Sequence, residues 1–172
     1  MFKMIGALFV IGASSLVGFG LGQRLVERCR LLRLWLHALE VLKAEIYYQA
    51  DLLPEVFRKI ARLIDDREMA RAFQKSADGI SFGAATGIIE IWPDLVARTG
   101  SFYLLPSDSL ILNELGNYLG GTDRDDQCEK IKLCQSRLQN NLQLAETALR
   151  QKLNLFRYAG FAVGTMLVLL LI

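Results

Sequence analysis

Charge is nearly absent from both ends of this chain, where Lys3 is the one exception. No Asp, Glu, Lys or Arg occurs from Met4 to Gln23 or from Tyr158 to Ile172. All 18 acidic residues, and all of the 20 basic residues except Lys3, therefore fall within 24–157. A long uncharged segment rich in Leu, Val, Ile and Phe is stable only in a core or in lipid. Hydrophobic residues make up 52% of the 172-residue chain, and the mean hydropathy is +0.28, high for a soluble domain of this size. Because the excess sits at the ends, the chain divides into a transmembrane helix at 1–23, a charged domain at 24–157 and a C-terminal membrane segment at 158–172.

The run MIGALFVIGASSLVGFGLG (4–22) has nineteen residues and as a helix reaches roughly 28 Å, close to a bilayer core of about 30 Å. A signal peptide is the alternative, with Lys3 as its basic start and Ser14, Ser15 and Gly18 near a cleavage site; the product would be an exported or membrane-anchored helical adaptor outside the cell. Against cleavage, Arg24, Arg28, Arg30 and Arg33 follow directly, as in a stop-transfer flank. The run YAGFAVGTMLVLLLI (158–172) reaches about 22 Å and follows Arg150, Lys152 and Arg157. Both basic flanks face the middle of the chain, so the positive-inside rule places 24–157 in the cytoplasm beneath a transmembrane hairpin. Ser14, Gly18 and Gly22 recur every four residues, and Gly160 and Gly164 form a GxxxG, spacings that let two helices approach closely in lipid.

The charged middle reads as helices throughout. Leu25, Cys29, Leu32, Leu36, Leu39, Leu42 and Ile46 step at about 3.5 residues, with Glu27, Arg28, Glu40 and Glu45 off the stripe, which extends the first membrane helix into the cytoplasm. Ile131, Cys134, Leu138, Leu142, Ala145, Leu149, Leu153 and Phe156 do the same before the second membrane segment. Between these stalks, Pro54 opens a helix with Val56, Phe57, Ile60, Ala61 and Ile64 on its buried face. Asp65-Asp66 ends that helix and starts one carrying Met69, Ala70, Phe73 and Ala77, which Asp78-Gly79 stops. A fourth falls within 83–97, kinked or divided by Pro93; a fifth starts near Pro106 and carries Leu110, Ile111, Leu115 and Leu119. The fold class is all-α, a cytoplasmic bundle of about six helices flanked by membrane segments.

The stretch LGNYLGGTDRDDQ (115–127) is the one place that resembles a chemical site. A calcium loop counted from Asp123 needs Gly and Glu where Cys128 and Cys134 stand, and a phosphate loop needs a lysine after Gly120-Gly121-Thr122. A helix junction fits instead. Gly120 and Gly121 would supply positive φ to end the fifth helix, and Thr122 with Asp125 would form a capping box for the sixth. The aspartates would face the positive end of its dipole.

Little else supports catalysis. His37 is the only histidine, and Cys29, Cys128 and Cys134 lack zinc spacing and read as small apolar fillers. A membrane-anchored hydrolase using Asp125 and Asp126 needs convergent carboxylates, which neighbours on a helix do not provide. Nearly equal acid and base counts in 24–157 leave no basic stripe for nucleic acid. No enzyme activity, metal or cofactor is expected.

KMIGALFVIGASSLVGF before an Arg-rich helix, LLPEVFRKIARL, and above all LGNYLGGTDRDDQ resemble the stage III sporulation protein AB family of endospore-forming bacteria. The resemblance runs in order along nearly the whole chain. Its most specific element is a Leu-Gly-x-x-Leu-Gly-x-x-Asp-x-x-x-Gln pattern met by Leu115, Gly116, Leu119, Gly120, Asp123 and Gln127. Pro93, next to Trp92, departs from the unbroken helix expected there. The resemblance implies a bundle similar to the helical domain of type II secretion platform proteins. It also implies a place in the mother-cell membrane facing the forespore, within a channel or secretion-like complex. The implied partners are a cytoplasmic secretion-type ATPase, which the protein would dock to the membrane as a scaffold, and other stage III sporulation channel proteins; self-association stays open. In that setting Asp123, Arg124, Asp125, Asp126 and Gln127 are expected to present a charged contact to a partner.

Overall fold

Apolar residues at helical spacing produce six helices in a computed structural model of the chain: α1 (Phe2–Tyr48), α2 (Leu53–Leu63), α3 (Arg67–Ser81), α4 (Ile88–Gly100), α5 (Pro106–Gly116) and α6 (Arg124–Leu171). The structure describes the backbone of 2–48, 52–81, 87–100, 102–121 and 123–171, and the side chains of 23–48, 52–80, 87–100, 102–121 and 123–151. No strand occurs among the described residues. The chain forms two compact units, Arg30–Leu142 on one hand and Met1–Cys29 with Gln143–Ile172 on the other. The second unit consists of the outer stretches of α1 and α6. The expected packing positions Ser14, Gly18, Gly22, Gly160 and Gly164, and the seam residues Leu153 and Phe156, lie outside the described side chains. Among the residues whose side chains are described no helix is long and apolar enough to cross a membrane; the uncharged runs 4–22 and 158–172 lie outside those side chains.

Within the Arg30–Leu142 unit each helix turns back on the last. Arg30 pairs with Asp66 at 2.6 Å and Lys59 with Glu45 at 2.6 Å, so α2 runs antiparallel to α1. Then α3 packs on α2, α4 on α3 and α5 on α4. Asn141 donates to Asp108 Oδ1 at 2.8 Å and Arg137 pairs with Glu114 at 2.8 Å, which sets α6 antiparallel to α5. Finally, Gln135 donates to Glu40 Oε2 at 2.9 Å, closing α6 against α1.

Four aromatic rings from four helices hold the centre. Trp35 lies 5.7 Å from Phe73 and 5.8 Å from Trp92, and Phe57 lies 5.5 Å from Phe73 and 6.1 Å from Trp92. All four are fully buried, and edge or tilted contacts at these distances add to the area term.

Local chemistry explains the helix ends. Pro54 stands in the first turn of α2, where no N–H is needed, and Asp66 Oδ1 accepts the Met69 N–H at 2.7 Å to cap α3. Asp108, wholly buried, accepts the Leu105 N–H at 3.0 Å at the start of α5 while its other oxygen takes the Asn141 amide.

Several expectations are corrected. Pro93 does not divide α4; its missing hydrogen bond falls on the carbonyl of Ile89, an exposed residue that water can reach. Helix α3 continues through Asp78-Gly79, where Asp78 accepts from Gln74 and pairs with Arg58. On α1 the buried position is Trp35, not Leu36, and Glu45 lies inside, with Lys59 on one oxygen. On α5 Leu110 is 61% exposed, and the inward face is Asp108, Leu112, Leu115 and Gly116. Ala61 and Ala70 are only half-buried.

Candidate functional site

The junction between α5 and α6 is built almost entirely from the residues of the Leu-Gly pattern. Leu115 and Leu119 are buried beneath it. Gly116, the last residue of α5, lies against the indole of Trp92: a Cβ there would come within 2.5 Å of Trp92 Cδ1 and 2.8 Å of Cγ. The same indole donates through Nε1 to the Leu112 carbonyl at 2.7 Å, so its plane is fixed from both sides. Gly120 has φ +74°, a conformation that other residues adopt only with strain. Its N–H donates to Gln127 Oε1 at 3.3 Å, across the turn to the first helical turns of α6.

These contacts revise the expected cap. Gly121 does not have positive φ, so one glycine, Gly120, reverses the chain. The Gln127 N–H bonds to the Asp123 carbonyl at 2.9 Å, which makes Asp123 the residue before the first turn of α6; Thr122, the expected cap, lies outside the described residues. Gln127 is buried and turned toward Gly120, so it serves the junction and is removed from the expected partner surface.

What remains outward is charge. Asp123, Arg124 and Asp125 are exposed, and half-buried Asp126 has Lys130 Nζ at 3.9 Å, one turn further along. Asp125 also borders a groove of about 680 Å³ between the end of α1 and the start of α6, lined by Lys43, Tyr47, Tyr48, Glu129 and Lys132 among others. Tyr48 is 80% exposed, its ring edge-on to Tyr47 at 4.8 Å. The floor is ordered: Lys43 Nζ pairs with Glu40 Oε2 at 2.7 Å, and Gln135 bonds the same carboxylate. The Lys43 ammonium, then the Gln135 amide, hold the Glu40 carboxyl below its ordinary range. Sequence patterning missed Tyr47 and Tyr48 because no polar punctuation separates them from the apolar stripe that Ile46 ends.

The groove can grip a protein segment: exposed aromatics give area, and flanking charges of both signs give orientation. Among the described residues no three His, Cys, Asp or Glu side chains gather as a metal site. All three cysteines are buried thiols, and burial pushes Cys134 up to about 12. A smaller cleft between α5 and α6 is spanned by the Arg137–Glu114 pair, and Lys130 stands 4.9 Å over the Tyr118 ring at its edge.

Comparison with known proteins adds relatives to this geometry. Residues 3–172 match the sequence profile of the family described as stage III sporulation protein AB. A curated relative, the stage III sporulation protein AB of Bacillus subtilis (strain 168), is 29% identical over 171 residues, covering 99% of each chain. A solved structure, stage III sporulation protein AB (SpoIIIAB), superposes with a TM-score of 0.65 at 26% identity, over 72% of this chain and 97% of the other.

Proposed function

This chain belongs to the stage III sporulation protein AB family, and we propose that within sporulation it acts as a non-catalytic membrane scaffold that recruits a cytoplasmic secretion-type ATPase. The observation that carries this reading is the α5–α6 junction. Its patterned residues Leu115, Gly116, Leu119 and Gln127 are buried in the fold, while Asp123, Arg124 and Asp125 stand outward beside an aromatic groove. A rigid turn bearing charge next to exposed tyrosines is suited to hold a partner, since fixed donors lose little entropy on binding. The uncharged runs 4–22 and 158–172 and their basic flanks support anchoring in the mother-cell membrane with 24–157 in the cytoplasm, as part of a channel or secretion-like complex.

Purified full-length protein in detergent, with Asp125→Lys and Asp126→Lys combined, is the test. The variant is expected to keep its far-UV helicity and to lose capture of the sporulation ATPase, with a parallel loss in Tyr48→Ala. Capture at the parent level, or loss of helicity in the charge variant, refutes the interface.

A further inference from the structure

The loop between α4 and α5 carries its own apolar surface. From Thr99 to Ser107 the sequence holds no charge, and Phe102, Tyr103 and Leu105 are 85%, 41% and 46% exposed. The loop is held rigidly from below. The Leu104 side chain is buried against Gly100, where any Cβ would overlap it, and the Tyr103 and Leu104 N–H groups both bond to the Gly100 carbonyl, at 3.2 and 3.0 Å. Asp108 fixes the other side by accepting the Leu105 N–H. An exposed Phe-Tyr-x-Leu tip presented by so firm a base is not a by-product of a loose loop.

Its place in the Arg30–Leu142 unit says what covers it. Because α5 is antiparallel to α6, with Asp108 beside Asn141, the loop stands at the end of the unit through which α6 leaves; α1 enters at that end too, where Arg30 meets Asp66. In sequence, both helices continue from there into the uncharged runs 4–22 and 158–172. Arg30 is eight residues from Gly22 and Leu142 sixteen from Tyr158, so this is the end of the unit from which the chain leads to both uncharged runs. The connecting stretches are basic: Arg24, Arg28, Arg30 and Arg33 against Glu27 alone, and Arg150, Lys152 and Arg157 against Glu146 alone. Exposed aromatics with basic neighbours suit the interface of an anionic bilayer, where rings rest among headgroups and cations meet lipid phosphates.

We infer that Phe102, Tyr103 and Leu105 form an interfacial wedge that rests on the anionic membrane surface and holds the bundle against it. This rests on the membrane anchoring proposed above.

Full-length Phe102→Trp is reconstituted in phosphatidylcholine–phosphatidylglycerol vesicles, with and without a spin label high on the acyl chain, beside Leu52→Trp at the opposite end of the unit. Native Trp35 and Trp92 are fully buried and give a constant background. The label is expected to remove about half of the emission added at position 102, where indole lies at the headgroup level, and to leave that at 52 unchanged. If the protein floats with vesicles but position 102 is quenched no more than 52, the wedge is refuted and the anchoring stands. If the protein does not float, the anchoring reading fails and the wedge with it. Emission that follows protein density and ignores the label assigns the loop to a second copy of the chain, which also overturns the inference.

Discussion

Replacing Gly116 by alanine adds one carbon at the point where the bundle has least room. That carbon would lie 2.5 Å from Trp92 Cδ1, 2.8 Å from Cγ and 3.1 Å from Cβ, so either the indole or α5 must move by about an ångström to restore ordinary contact. The indole is poorly placed to yield. It is fully buried, bonded to the Leu112 carbonyl and packed on Trp35 and Phe57. Overpacking of this kind costs about 1–3 kcal/mol, and a strained hydrogen bond adds up to about 1. Alanine's better helix propensity returns at most about 1 kcal/mol, and less at a helix end. The net loss is about 1–2 kcal/mol, a fall in Tm of roughly 2–8 °C for a chain of this length. Thermal and urea unfolding of the full-length protein in detergent, followed by tryptophan fluorescence, measures it. Gly121→Ala is the control, because nothing lies within 4 Å of its added carbon and its φ is ordinary. Shrinking the partner should relieve the clash, so Gly116→Ala with Trp92→Leu should lose less than the two single losses added together, by about 1 kcal/mol. Parent-level stability in Gly116→Ala, an equal loss in Gly121→Ala, or strict additivity in the double variant would refute the steric reasoning.

Other consequences can be measured in the same way. Asp108→Ala removes the acceptor shared by the Leu105 N–H and the Asn141 amide inside the fold, and is expected to cost about 2–3 kcal/mol in urea unfolding. Asp108→Asn, which keeps one acceptor, should lose clearly less. Gln127→Ala strands the Gly120 N–H for a loss of about 1 kcal/mol, whereas Gln127→Glu retains an acceptor and should recover most of it. The Cys134 thiol is raised by burial from 9.0 to about 12, so the folded protein disfavours its thiolate. Maleimide should therefore not modify Cys134 near pH 8 until the chain unfolds. The stabilising contribution of the neutral thiol should be intact below pH 9.0 and decline as pH climbs toward 12, a decline that Cys134→Ala abolishes.

Periodicity revealed the helices but not always their inner faces. Along α2 and its C-cap, Val56, Phe57, Ile60 and Ile64 recur on one face and are buried as expected, while Ala61, read on the same face, is only half-buried. On α1 the stretch LLRLWLHAL is apolar on most positions, so several stripes fit equally well; only packing against Phe73 and Trp92 selects Trp35 over Leu36. On α5 the inward face includes an aspartate whose partner Asn141 lies 33 residues away, a relation that no local pattern encodes, and the error at Leu110 follows from it. Pro93 and Gly79 do not break their helices because their penalties depend on surroundings: Ile89 is exposed beside the first, and Asp78, next to the second, is held by Gln74 and Arg58. At the junction, sequence located the turn and its glycines. It could not divide their work, since the tasks of Gly116 and Gln127 depend on Trp92 and on the N–H of Gly120.

The closing contact of the bundle has a consequence for how the protein is made. Glu40 and Gln135 meet across 95 residues of chain, and Cys128 Sγ reaches the Lys43 carbonyl across 85. A growing polypeptide that has released α2 to α5 therefore still lacks the wall that covers the outer flank of α1, and loop-closure entropy opposes the contact until synthesis is almost complete. The flank of α1 that carries Glu40 and Lys43 must wait through that interval without its partner helix. Truncation before Cys128 thus leaves an open-sided assembly, and quality control has a simple signal by which to distinguish a finished molecule from an unfinished one.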